Sequence, residues 1–389
     1  MSLTDELDQT MASGVDLRAM LDPAASGEVR RIMQICNACR YCEGFCAVFP
    51  AMERRRLFTD GDVSYLANLC HNCGACYHAC QYAPPHEFAV NVPVSMAAAR
   101  ASSYAAYAWP GPLAHLFDRN GMVVSIIIAL GLGLTVGLML AMISPDLFWG
   151  VHIGAGAFYQ VMPHTIMAAI PLGITAFAIL AMVMGWRRYW QHTGAVWGGW
   201  RSVGDAVAAV AAMRHLGGET AAGWRGGGGC HTADDRSSNA RRIYHQLTMY
   251  GFLLCFASTS VGTLYHYAFG WEAPYGLLSL PVILGTVGGV ILCVGTAGLL
   301  VEKRRMNPAV RYETAGGMDN AFIVILFLVS FTGLLLLVVR STSMMGLTLA
   351  IHLGFVYSFF LIMPYSKFVH GLYRFAALLA SASESRRIQ

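Results

Sequence analysis

Charged side chains are scarce in this sequence. Asp, Glu, Lys and Arg make up 12% of 389 residues, against 56% apolar ones, where a soluble domain carries about a quarter. That deficit excludes a single water-soluble domain of this length. The beginning of the chain, Met1 to Gln9 with Asp5, Glu6 and Asp8, has no basic stretch leading into an apolar core. The cysteines are therefore not expected to form a secreted disulfide framework, and their domain is expected to be cytoplasmic and reduced. Charge is almost absent from six apolar stretches, roughly Met122 to Ile143, Pro163 to Trp186, Gln246 to Tyr267, Leu277 to Val301, Asn320 to Val339 and Gly346 to Tyr365. Each is long enough to cross about 30 Å of hydrocarbon at about 1.5 Å per residue. A transporter would need broken spans or several intramembrane charges, so their scarcity disfavours a redox-responsive transporter or membrane sensor.

The charges that remain are unevenly placed. Arg187, Arg188, Arg201, Arg214, Arg225, Arg236, Arg241 and Arg242 follow the second span, and Lys303, Arg304, Arg305 and Arg311 follow the fourth; the loops after the first and third hold none. Positive charge stays on the cytoplasmic side, so both termini are expected there, in a bacterial inner membrane. This asymmetry accounts for the net charge of +4 and leaves no case for a nucleic-acid partner. Trp149, Trp186, Tyr189, Trp190, Tyr267 and Trp271 lie at span ends, where amphipathic rings anchor to the interface. The segment of about 187–243 reads as a Gly-rich cytoplasmic loop. Its run Gly226 to Gly229 has no Lys-Ser/Thr after it, which argues against a phosphate loop. Gly133/Gly137 and Gly285/Gly289 are small-xxx-small pairs, expected in close helix packing.

The cysteines are concentrated before the first span. Cys36-x2-Cys39-x2-Cys42-x3-Cys46 is followed by Cys70-x2-Cys73-x2-Cys76-x3-Cys80, the ligand spacing of two-cluster bacterial-type ferredoxins, in which the fourth cysteine of each run ligates the other cluster. On that pattern Cys36, Cys39, Cys42 and Cys80 hold one [4Fe-4S] cluster and Cys70, Cys73, Cys76 and Cys46 the other. Zinc sites use cysteine pairs and have no place for the third and fourth cysteines of each run. The pattern usually continues into proline; here Ala47 and Gln81 stand in that place. The fold expected is mainly α: an N-terminal segment (1–30), a ferredoxin-like helical domain with two [4Fe-4S] clusters (31–105) and a six-helix transmembrane, cytochrome b-like bundle (106–389).

Clusters beside a bilayer call for an acceptor within it, and histidines are the usual ligands of a b-type haem. His245 and His266 stand 21 residues apart at the ends of the third span; His352 and His370 stand 18 apart at the ends of the sixth. At about 100° per residue each pair shares one helix side. The two spans run oppositely, which sets His245 level with His370 and His266 level with His352, as two axial pairs would require. His152 and His164 belong near the first outer loop as interfacial residues that could line a quinone pocket. His71 and His78 are expected to pack or tune potential, and Cys255 and Cys293 to be small buried apolar side chains.

Several strings are more specific than the cysteines. Ala240-Arg241-Arg242, His245-Gln246-Leu247-Thr248, Tyr250 to Ala257, Leu264-Tyr265-His266-Tyr267, Gly270-Trp271 and Ala273-Pro274-Tyr275 resemble the tricarballylate/citrate utilisation protein B family. So do Gln81 to Phe88 and Asn91-Val92-Pro93 behind the second cysteine run. The resemblance implies a membrane partner of an FAD-dependent tricarballylate dehydrogenase. That flavoprotein converts tricarballylate to cis-aconitate, and the membrane subunit returns its electrons through clusters and haem b to the quinone pool. Subunits of heterodisulfide- or nitrate-reductase type would share clusters and bis-histidine haem but not these strings.

Overall fold

The computed structural model describes residues 21–117, 120–216, 230–232, 234, 236–388. The run Gly226 to Gly229 lies outside them. The iron-sulfur region is built from short capped helices. α1 (Pro23–Cys39) starts on Asp22, whose carboxylate accepts from the Ala24 amide, with proline in the first turn. It starts within the stretch assigned above to an N-terminal segment. It stops where Arg40 turns left-handed (φ 54°). α2 (Val48–Glu53) follows, and α3 (Asp60–Leu69) opens with a capping box between Thr59 and Asp62. α4 (Ala75–His78) is a single turn, and α5 (Val92–Tyr107) is capped by Asn91.

Among the described residues six helices are long and apolar enough to span a membrane. They are α6 (Asn120–Met142), α7 (His164–His192), α9 (Ala240–Phe269), α10 (Leu280–Arg305), α11 (Gly316–Val339) and α12 (Met345–Ile362). Their outer faces are apolar: Leu134 is 71% exposed, Leu172 72% and Val338 78%, surfaces that belong against lipid. The chain is a multi-pass membrane protein. Between α7 and α9 the segment expected to be a loop carries secondary structure in its described residues. α7 continues to His192, α8 (Trp200–Ala211) lies against α13 (Val369–Ile388), and β1 (Cys230–His231) pairs antiparallel with β2 (Ser237–Ser238).

Two sequence expectations need correcting. His352 and His370 do not share a helix: the 3-10 turn Met363–Tyr365 around Pro364 and the extended Ser366 end α12, and His370 opens the separate helix α13. The 18-residue periodicity therefore does not apply to them. An added Cβ at Gly133 or Gly137 would meet nothing within 4 Å, so that pair makes no close packing here. Close approach comes from Gly251 and Gly288, where α9 and α10 touch backbone to backbone; a Cβ on Gly251 would stand 2.7 Å from the Leu292 nitrogen. Gly285 and Gly289 do pack, against Ser258 and Leu334.

The iron-sulfur region is not a separate bead on this bundle. Val29, Ile32, Met33, Phe49, Leu66 and Leu69 share one core with Tyr189 of α7 and with Ala376, Ala377 and Leu379 of α13. Tyr104, Tyr107, Tyr189 and Tyr373 pack ring against ring at that seam, with centroids 5.4 to 5.9 Å apart. The Tyr107 hydroxyl donates to Ser64 Oγ at 2.7 Å and lies 2.6 Å from His192 Nδ1.

Candidate redox centre

Local geometry gathers the eight thiols into two groups. Cys36 and Cys39 occupy one face of the last turn of α1, and the left-handed Arg40 swings the chain so that Cys42 returns toward them. Cys70 closes α3 in an extended conformation. Asn72 (φ 54°) and Gly74 (φ 83°) then turn the chain into α4, which carries Cys76. Burial pushes the Cys36 and Cys42 thiols up to about 12, reinforced by the charge of Cys80 and Cys39 beside both. Burial likewise raises Cys46, which lies by Cys73 and Cys70, and Cys76, which lies by Cys73, Cys70 and Cys46. Each run thus sends its fourth cysteine to the other group. All eight are free thiols.

Thiols this close and this buried resist ionisation unless a cation sits among them, the situation an iron-sulfur core relieves. Among the described residues no three His, Cys, Asp or Glu are gathered tightly enough for a single metal ion; the thiolates of a four-iron cluster stand further apart than the ligands of one ion. The Asn72 amide donates to Cys70 Sγ at 3.4 Å, the kind of contact that stabilises a thiolate. His71 lies by the Leu69 carbonyl, with Nδ1 at 2.9 Å, and His78 stacks on His231 at 4.8 Å.

The histidines separate into different settings. His245 of α9 and His370 of α13 face each other with ring centroids 6.0 Å apart and planes at 77°. His370 Nδ1 lies on the Lys367 carbonyl, which can only accept, so Nδ1 carries the proton and Nε2 keeps its lone pair. Burial, with the Arg374 charge, pushes His370 well below the ordinary range and keeps it neutral. His245 Nδ1 is buried without a hydrogen-bond partner. A metal bonded by both rings at about 2.0–2.1 Å per nitrogen would put the centroids roughly 6.3 Å apart, close to the spacing of this pair.

The distal histidines are not brought together. His266 stacks on His164 of α7 at 3.7 Å, with the Tyr159 hydroxyl 3.4 Å from its Nδ1. His352 turns toward α11, its Nδ1 3.1 Å from Thr332 Oγ1 and its ring against Gly333. The level match placed both at the same depth, but depth says nothing about the direction in which a side chain leaves its helix. His152 lies under the first outer turn, 2.7 Å from the Leu147 carbonyl.

A model described as the citrate utilization protein B Fer4-like domain matches residues 29–106, and one described as citrate utilization protein B matches 117–389. A curated citrate utilization protein B from Escherichia coli is 46% identical over 380 residues, 96% of each chain. The chain belongs to the citrate utilization protein B family. No solved structure matches it. A Fer4-like domain on a multi-pass helical bundle gives this family member an iron-sulfur electron-transfer role. Sequence reasoning missed Arg100, Arg241 and Arg374, which reach the second cysteine run from three helices. It also missed Cys230, buried beside Cys73. The spacing of Arg241 and Arg374 four residues from His245 and His370 was the available signal.

Proposed function

We propose that this chain is the membrane subunit that reoxidises a soluble FAD-dependent dehydrogenase of a tricarboxylic acid and delivers the electrons to the quinone pool of the bacterial inner membrane. The resemblance of its strings favours tricarballylate as that acid; the relative's name refers to citrate. Bound clusters and haem b would supply one-electron transfer between a two-electron flavin and a two-electron quinone. Cys36, Cys39, Cys42 and Cys80 would hold one [4Fe-4S] cluster, and Cys46, Cys70, Cys73 and Cys76 the second. His245 and His370 would hold a haem at the end of the bundle nearest the clusters, which is cytoplasmic on the charge asymmetry. His266 and His352, facing different neighbours, do not make a second pair.

The observation that carries this reading is the junction itself. The second cysteine run is hydrogen-bonded at the Cys70 carbonyl to Arg374, one turn beyond His370, and at the Asn72 carbonyl to Arg241, one turn before His245. The protein's work is positional: the shared core holds the thiols still against the histidine helices, and the apolar bundle keeps water from the path. Anaerobic spectra of the purified protein, oxidised and dithionite-reduced, test it together with iron, acid-labile sulfide and pyridine haemochrome. About eight irons and one haem per chain are expected. A colourless zinc protein overturns the electron-transfer reading, and a brown, haem-free one removes the haem.

A further inference from the structure

The two thiol groups sit in different electrostatic surroundings. Three guanidinium groups converge on the stretch from Ala67 to Asn72, which carries Cys70. Arg100 of α5 donates to the carbonyls of Cys70 at 2.5 Å and Ala67 at 3.2 Å, Arg374 of α13 to that of Cys70 at 2.9 Å, and Arg241 of α9 to that of Asn72 at 2.8 Å. Arg100 is buried, and Arg374 Nε is buried with no acceptor. Among the described residues none of the three pairs with a carboxylate. Asp319 is held by Lys303 at 3.3 Å and Lys367 at 2.9 Å. In the first run Arg40 donates to the Asn37 carbonyl at 3.3 Å, but it is exposed to solvent and the carboxylates of Glu43 and Glu53 lie near it.

Buried cations without counter-ions are costly, and these three grip the main chain from Ala67 to Asn72, which carries Cys70 of the second group. A [4Fe-4S] core on four thiolates is a net anion, and it gains one more negative charge on reduction. Nearby positive charge, poorly screened by protein, favours the reduced form. Helix register supplies a second, independent observation. Arg241 precedes His245 by four residues and Arg374 follows His370 by four, so each shares a face with its histidine. The groups that grip the second cysteine run therefore stand one turn from the rings that face each other at 6.0 Å.

We propose that Arg100, Arg241 and Arg374 are positioning residues that raise the potential of the cluster at Cys46, Cys70, Cys73 and Cys76 above that of the other, making it the exit toward the membrane. This rests on the two-cluster reading above. With both clusters bound, one electron would pass from the cluster held by Cys36, Cys39, Cys42 and Cys80, which would be oxidised, to the one held by Cys46, Cys70, Cys73 and Cys76, which would be reduced, with no bond change. The electron then passes on to the membrane quinone named above as acceptor.

The test is an anaerobic potentiometric titration followed by electron paramagnetic resonance on the full-length protein and its Arg374→Gln, Arg374→Lys and Arg241→Gln variants. Iron and sulfide are counted first. Two potentials are expected in the unmodified protein. Each Gln variant should lower the higher one by at least a tenfold change in electron partition, about 59 mV for a one-electron couple, and leave the lower one in place. Arg374→Lys, which keeps the charge, should stay close to the unmodified value. Iron-replete Gln variants with unchanged potentials, or a Lys variant that shifts as far as Gln, overturn the proposal. If Arg374→Gln loses its clusters, Arg241→Gln on the other helix decides. Fewer than two clusters in the unmodified protein would instead refute the two-cluster reading.

Discussion

Glu384, near the end of α13, is the most informative residue to remove from the seam between the iron-sulfur region and the bundle. Its carboxylate accepts from Arg55 at 2.6 Å, from Arg54 at 3.2 Å and from the Tyr65 hydroxyl at 3.2 Å. Arg55 also stacks over the Tyr65 ring at 4.7 Å. The Arg55 and Glu384 side chains are 15% and 31% exposed. A fully exposed pair would be worth below about 1 kcal/mol, and breaking a fully buried one costs about 3–5 kcal/mol. This site lies between those limits. Glu384→Ala strands two guanidinium donors and one hydroxyl, but Arg55 keeps Asp62 and the Ala51 carbonyl as acceptors. We therefore expect a loss of about 2–3 kcal/mol, with Glu384→Gln roughly half as damaging because it retains one acceptor oxygen. The assay is a urea titration of the detergent-solubilised protein, following cluster absorbance and protease protection of the segment before α6. A double-mutant cycle with Arg55→Met should give a coupling of about 1.5 kcal/mol or more. A loss below about 0.5 kcal/mol, the range of ordinary surface changes, would refute the claim that this network clamps the two parts together.

Other consequences can be checked separately. Gly251→Val drives a side chain into the Leu292 backbone, and such overpacking costs about 1–3 kcal/mol; the α9–α10 hairpin should loosen, read as faster cysteine labelling at Cys255 and Cys293. Gly74→Ala has room for its methyl but must hold φ 83°, a left-handed conformation costing about 1–2 kcal/mol. Its cluster absorbance should bleach at lower temperature than that of the unmodified protein. Burial, with the Arg214 charge, holds His215 down to about 4. The unfolded chain takes up that proton near pH 6.5 and the folded one does not, so stability is complete above about 6.5 and falls as pH drops toward 4. The slope is about 1.4 kcal/mol per pH unit. His215→Gln should flatten that part of the curve, measured as urea midpoints between pH 7 and 4.5.

Hydrophobic run length located all six spans within a few residues, because a span must bury about 20 residues in hydrocarbon whatever surrounds it. Sequence did not reveal that α7 and α9 run on past the apolar stretch, to His192 and back to Ala240. Those extensions are polar, and they are held by packing against the iron-sulfur region. Helix faces were readable only where one helix was continuous. The break at Met363–Tyr365 moved His370 onto α13, where it meets His245 from a different helix. His266 and His352 matched in depth yet turned to His164 and Thr332.

By itself the sequence determined the composition of this protein's parts: six helices for a membrane, eight thiols at cluster spacing and the strings of its family. These follow from local rules, since apolar length, cysteine spacing and caps act over a few residues. Only the tertiary structure decided which parts meet. It separated His352 from His370 and turned His266 and His352 to different neighbours. It also brought Arg100, Arg241 and Arg374 to the short stretch from Ala67 to Asn72 and folded α13 back over the iron-sulfur region. The reason is physical: a guanidinium four residues from a histidine is unremarkable along a helix, and its partner becomes definite only when three helices close around the same turn of chain.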